Sequence, residues 1–221
     1  GLHSSLAWRK GGLNLSANWT WSRMRGNFLG ENAGSGPLAA TFDNYPEYFD
    51  VAWSSPRGDL AQDQRHRVRL LASYDFRLGG IAITPGLVQQ FDSGTPYGAV
   101  GNVNSRAYVT NPGYVAPPAT VPYYFTARDA YRTDDLWATN LSLNLSTNLG
   151  PVELFVQPQV LNLFNQDGVL APNTSVLVGT GSTPNSNGLV RFDPFNAAPI
   201  ECPQTASAAE CSAMGANWKK G

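Results

Sequence analysis

Two histidines, His3 and His66, are the only imidazoles in the 221-residue chain, and only His66, bracketed by Arg65 and Arg67, has charged neighbours that suggest chemistry. Three adjacent cationic groups could hold an anion. The plainer reading puts His66 at the rim of a strand, solvated or hydrogen-bonded to neighbouring loops. Asp129, Asp134 and Asp135 offer oxygen ligands for a hard cation, but their spacing misses the EF-hand register and no metal is expected. There is no His-Glu-x-x-His, Gly-x-Ser-x-Gly, P-loop or Cys-x-x-Cys spacing. The expectation is therefore a protein that is not an enzyme and needs no cofactor. Arg57-Gly58-Asp59 matches the integrin-binding tripeptide, a match that polar stretches produce readily by chance. Asn-x-Ser/Thr triplets start at Asn14, Asn18, Asn140, Asn144 and Asn173. The first four fall in alternating segments, where small polar residues filling one strand face explain them better than glycosylation does.

Those segments are the main structural signal. From Leu13 to Trp21, Leu13, Leu15, Ala17, Trp19 and Trp21 share one parity while Asn14, Ser16, Asn18 and Thr20 share the other. Only a β-strand separates the two sets. The same alternation predicts strands over 2–9, 13–25, 65–76, 81–91, 136–147 and 152–164, paired into hairpins by short glycine-bearing turns. The stretches between hairpins, 26–64, 92–135 and 165–221, are long and polar, well beyond the ~12–15 residues usual for unstructured loops in compact domains. Short and long connections alternate, as they do in outer-membrane barrels with short periplasmic turns and long extracellular loops.

The fold class expected is all-β, an antiparallel transmembrane β-barrel fragment of about six strands. Trp8, Tyr74 and Phe76 beside short turns, and Trp19, Trp21, Phe91, Trp137 and Phe164 at the long-loop ends, follow the apolar parity, as two interfacial girdles would. The opposite parity is assigned to the lumen: Asn14, Ser16, Asn18, Thr20, Arg67, Arg69, Gln90, Asn140, Asn144, Glu153 and Gln157, with Ser73, Asp75, Thr84 and Asp92 beside them. Leu71, Phe155, Leu161 and Leu163 also fall there and lean toward a filled rather than an open barrel.

Composition fits this reading. Fifteen Lys plus Arg against sixteen Asp plus Glu give a net charge of -1 with no basic run, which leaves nucleic-acid binding without electrostatic support. No stretch approaches the ~18 apolar residues of a membrane helix, as expected when each strand gives lipid only half its residues.

Four motifs carry a resemblance to a known family. Asp63-Gln64-Arg65-His66-Arg67 enters a strand ending Tyr74-Asp75-Phe76; Ser93-Gly94-Thr95-Pro96-Tyr97 leaves the next strand; Arg128 and Arg132 follow in the loop; Leu161-Asn162-Leu163-Phe164-Asn165 closes the sixth. In this order they resemble the C-terminal barrel of TonB-dependent outer-membrane receptors, most closely the Oar-like subgroup. The resemblance implies a signal peptide, a TonB-contacting box, a plug and a barrel of about 22 strands. On that basis residues 1–221 are expected to be a C-terminal portion of the barrel, with Gly1 an internal cut and Trp218-Lys219-Lys220-Gly221 the approach to a final strand.

What the resemblance implies for function is TonB-dependent uptake across the bacterial outer membrane, with lipid and the TonB complex as partners. The substrate, a small molecule, glycan or peptide, is left open. A passive porin would share the strands and girdles. A soluble carbohydrate-binding β-sandwich would instead use loop aromatics such as Tyr45, Tyr48, Tyr97, Tyr108, Tyr114, Tyr123 and Tyr124 as sugar platforms.

Cys202 and Cys211 are the only cysteines, with eight residues between them in the last long stretch. They are read as a disulfide rather than two free thiols, since either side of an outer membrane permits oxidation. Closing so short a loop is worth roughly 2–3 kcal/mol in the chain-entropy model. Mass spectrometry of the exported protein is expected to show no alkylation at Cys202 or Cys211 before reduction and double alkylation after it; two alkylated thiols without reduction would contradict the pairing.

Overall fold

The structure, a computed structural model, describes residues 1–27, 45–110, 113–178 and 191–196. Contacts divide the chain into a sheet unit (Gly1–Arg23, Asp63–Thr95, Thr133–Leu170) and a second unit built from the long connections (Met24–Gln62, Pro96–Arg132, Ala171–Gly221). Cys202 and Cys211 lie outside the described residues.

The alternating segments form one antiparallel sheet: β1 (Leu2–Lys10), β2 (Leu13–Trp21), β3 (His66–Tyr74), β4 (Phe76–Leu78), β5 (Ile81–Asp92), β6 (Leu136–Leu149), β7 (Val152–Val156) and β8 (Gln159–Val160). The main order is β1-β2-β3-β5-β6-β7, which is chain order, with β4 along β5 and β8 along β6. β3 and β4 keep a single register on β5, seen in Ser73↔Gly86 and Phe76↔Ile83, so they are one strand interrupted where Tyr74 stands opposite Pro85. β7 and β8 likewise keep one register on β6 (Leu145↔Val156, Leu141↔Val160) and break at Gln157-Pro158. A proline has no N–H to give the ladder, and both interruptions fall beside one.

Three two-residue turns join the hairpins. Gly11 and Gly12 both have positive φ (57° and 86°), the primed geometry whose twist suits adjoining strands. Only glycine suits the second place, because a Cβ on Gly12 would lie 2.4 Å from the Asp75 carbonyl oxygen. The turns step along the ladder. The first closes at Lys10↔Leu13, level with Tyr74; the second closes four residues further on at Leu78↔Ile81; and the third, past Thr147↔Ile81, closes two further at Leu149↔Val152.

Two expected boundaries are corrected. β2 ends at Trp21 rather than 25: Ser22 bonds to the backbone of Gln64 and Arg65, after which Arg25–Gly26 pairs with Gly58–Asp59 in a separate ladder. The sixth strand ends at Val160 rather than 164, because Asn162 and Asn165 take left-handed conformations (φ 48° each) and turn the chain. Phe164 therefore does not extend the apolar row of that strand.

Register assigns the faces. Leu2, Leu6, Trp8, Leu15, Trp19, Trp21, Val68, Tyr74, Phe76, Phe91, Trp137, Leu143, Leu154 and Val156 share one face. Much of that face is exposed. Leu6 is 57 % exposed, Trp137 50 % and Leu154 50 %, and every buried hydrophobic among the described residues (Tyr48, Leu60, Val103, Val121, Tyr123, Phe125, Val176) belongs to the other unit.

That other unit corrects the expectation of irregular polar loops. Val100–Val103 pairs antiparallel with Val121–Tyr124 and parallel with Ser175–Val176. Tyr48, Val103, Val121, Tyr123, Phe125 and Val176 form its core, with Trp53 stacked on Tyr123 at 5.2 Å. Tyr48 and Tyr123 are thus core residues rather than exposed platforms. A short helix, Val51–Ser54, is capped by Asp50, which accepts from Ala52 N–H at 2.8 Å.

Candidate functional site

All eleven residues assigned to the lumen from sequence share the face opposite the apolar row. Across the strands this face reads as successive rows: His3-Thr20-Arg67-Asp92, then Ser5-Asn18-Arg69-Gln90, then Ala7-Ser16-Leu71-Val88-Asn140, then Arg9-Asn14-Ser73-Gly86-Ser142. Asn144 follows opposite Thr84, the unbroken β7–β8 register puts Gln157 across from Asn144, and Glu153 stands opposite Asn148 near the third turn.

Two polar networks bracket a weaker middle. Toward the long connections, Arg69 grips Asp92 with both carboxylate oxygens (2.7 and 3.0 Å) and donates to the carbonyls of Val68 and Phe91. Arg67 lies 3.9 Å from Asp92 and bonds to the Gln64 side chain. His3 and Thr20 share a 2.9 Å hydrogen bond. Toward the short turns, Asp75 accepts from Asn14 (3.1 Å) and Thr84 (2.7 Å), and Arg9 bonds Asn14. Between them is an open hollow of about 620 Å³ lined by Ala7, Ser16, Leu71, Val88, Gly86 and Ser142 among others. Gly86 leaves space here, since a Cβ on it would meet Ser142 Oγ at 2.6 Å. Leu71 is 48 % exposed, and Phe155 and Leu161 are likewise exposed.

The motifs that carry the resemblance act as structural fasteners. His66 N–H donates to Ser93 Oγ and Ser93 N–H to His66 O, both at 2.9 Å. The His66 ring faces the apolar side, stacked near Trp19 (5.9 Å) with Nδ1 accepting from the indole N–H at 3.2 Å. Its ring thus bonds a neighbouring strand, while its backbone bonds Ser93 in the connection after β5. Asp63, 1 % exposed, pairs with Arg65 at 3.0 Å. Gly94 N–H donates to Asp135 at 2.8 Å, and a Cβ on Gly94 would fall 1.9 Å from the Thr133 carbonyl oxygen. In Asn162-Leu163-Phe164-Asn165, the Asn162 side chain both donates to Gln166 O and accepts from Gln166 N–H (2.9 Å each). That closes a turn, not a strand.

In the second unit Pro96–Tyr97 pairs with Tyr131–Arg132, and Arg132 reaches Asp59 at 3.3 Å. Asp59 is buried, so the Arg-Gly-Asp tripeptide is not a free ligand. Arg128, 8 % exposed, lies over the Tyr124 ring at 5.1 Å. The three candidate cation ligands each serve a different backbone amide: Asp129 accepts from Asp59 N–H, Asp134 from Val169 N–H and Asp135 from Gly94 N–H. No group of three metal-ligating side chains occurs among the described residues. The Tyr114 hydroxyl donates to the Glu47 carboxylate (3.0 and 3.2 Å), which holds its pKa above the usual phenol value, while burial raises that of Tyr123.

Sequence reasoning found the rows but not the hollow, which needs the register of five strands to appear. It also missed the Thr133–Gly94 approach, for which the only sequence signal is a glycine in a strand exit. No family model, curated protein or solved structure matches the chain.

Proposed function

We propose that this chain forms part of the wall of a transmembrane β-barrel in a bacterial outer membrane, in a receptor of the TonB-dependent, Oar-like kind that takes up a solute and carries out no catalysis. The observation that carries this reading is the exposed apolar face of a sheet unit in which, among the described residues, no hydrophobic side chain is buried. In water such a face forfeits roughly 1.5–3 kcal/mol for each large side chain left uncovered, whereas lipid accepts it. A sandwich would have buried one face against a second sheet. The aromatic residues add support. Trp19, Phe91 and Trp137 follow one row near the long connections, with Phe91 and Trp137 rings 4.3 Å apart, and Tyr74 and Phe76 lie 5.9 Å apart beside the second short turn. Such belts suit the two membrane interfaces. The stepwise displacement of the turns agrees with the stagger that strand tilt would give a closed barrel. The hydrogen-bonded opposite face would then line the lumen, and Leu71 and Phe155 on it favour a lumen filled by a plug over an open channel. Energy from the TonB complex and the plug itself come from the resemblance alone.

Among the described residues β1 and β7 each pair on one side only, so in lipid both edges need further strands, because unpaired backbone groups find no partner there.

Two outcomes are expected. In detergent or bilayer unfolding titrations, Leu143→Arg should cost about 2–4 kcal/mol while its neighbour Asn144→Arg on the opposite face costs under about 1 kcal/mol; equal costs would contradict the face assignment. In planar bilayers the 221-residue chain should give no conductance steps of defined size. Discrete steps would show that these strands close a pore unaided and would favour a passive porin.

A further inference from the structure

We infer that the end of the polar face nearest the long connections is an oxyanion-binding patch, which makes the transported solute a carboxylate or phosphate bearer; this rests on the transporter reading. Two arginines and one aspartate meet here, and their bonding is unequal. Arg69 spends its guanidinium on Asp92 and on two backbone carbonyls, so Asp92 is neutralised in place. Arg67 is left over. Its side chain is 60 % exposed, Asp92 is 3.9 Å away, and its one hydrogen bond runs from Nε to neutral Gln64. Both terminal nitrogens of Arg67 remain available in a fork that matches a carboxylate or phosphate bidentately.

Neutral donors complete the patch. Asn18 and Gln90 stand directly across from Arg69 on either side, on the same face, and among the described residues neither side-chain amide makes a hydrogen bond. One surplus positive charge with two free amides nearby favours an anion and discriminates against a cation. The next row leads through Leu71 into the 620 Å³ hollow, which is within the size range of small-molecule sites and gives the rest of a solute room.

The probes are citrate, inorganic phosphate and spermidine, titrated calorimetrically into the full chain folded in dodecyl maltoside. Citrate or phosphate should bind and spermidine should not. Arg67→Gln should weaken oxyanion binding at least tenfold, Arg67→Lys less, and the double variant Asn18→Ala/Gln90→Ala at least threefold. Arg77→Gln, which removes an equal charge near the second turn, should change it less than twofold; circular dichroism checks that each variant keeps its strands. Absence of oxyanion binding, or equal weakening by Arg77→Gln, would overturn the patch. The Leu143→Arg and Asn144→Arg pair reports on the wall reading independently: unequal costs there with no oxyanion binding would remove the patch and leave the wall standing, and equal costs would remove the wall.

Discussion

An amphipathic sheet with one bare apolar face cannot be at rest in water, and the other features of the sheet unit follow from that constraint. In ordinary domains the apolar face of a sheet is covered by a second layer that becomes the core. Here the buried hydrophobic residues among those described are all in the unit of long connections, while Leu2, Leu6, Leu154 and Val156 remain half or more exposed. Hydrogen bonds between the strands, helped by the Arg69–Asp92 pair and the Phe91–Trp137 ring contact, hold the register, and each hydrogen bond adds only about 1 kcal/mol net in water. In lipid the same bonds become obligatory, since no solvent competes for them.

The ionisable side chains obey the same constraint. On the strands of the main sheet the apolar face carries Lys10 at the first turn and His66 at the far rim, and His66 is bonded to Trp19. Gln89 and Thr139, the other strong polar pair on that face, bond to each other at 2.5 Å. Arg9, Arg67, Arg69, Asp75, Asp92 and Glu153 all lie opposite. A wall between hydrocarbon and a wet interior requires this division, and it is the same division that leaves Arg67 unspent.

Much of the sheet could be read in the sequence because the information is local: parity within each strand and glycine at each turn set six strands and both faces. What escaped is not local. Pro85 interrupts β3 from the neighbouring strand, so nothing in 65–76 marks the break. The parity of Val152, Leu154, Val156 and Val160 runs on to Phe164 and so reads as strand, but the Asn162 side chain bonds Gln166 and the backbone turns there. The second unit reads as polar loops because its core draws Tyr48, Val103, Val121, Tyr123, Phe125 and Val176 from three separated stretches, and only Val121, Tyr123 and Phe125 keep a strand's period. The rows of the polar face were legible, whereas the imbalance between Arg67 and Arg69 was not, since both are arginines of one parity and only geometry shows which of them holds Asp92.

Contact between the apolar face and hydrocarbon is the central claim, and tryptophan quenching by brominated detergent measures it most directly. With Trp53 and Trp218 replaced by phenylalanine, the remaining tryptophans are Trp8, Trp19, Trp21 and Trp137, all on that face. Emission in brominated dodecyl maltoside is expected to fall to less than half its value in the unbrominated detergent. Unchanged emission, with soluble iodide quenching these tryptophans instead, would mean that water covers the face and that the chain is no membrane wall.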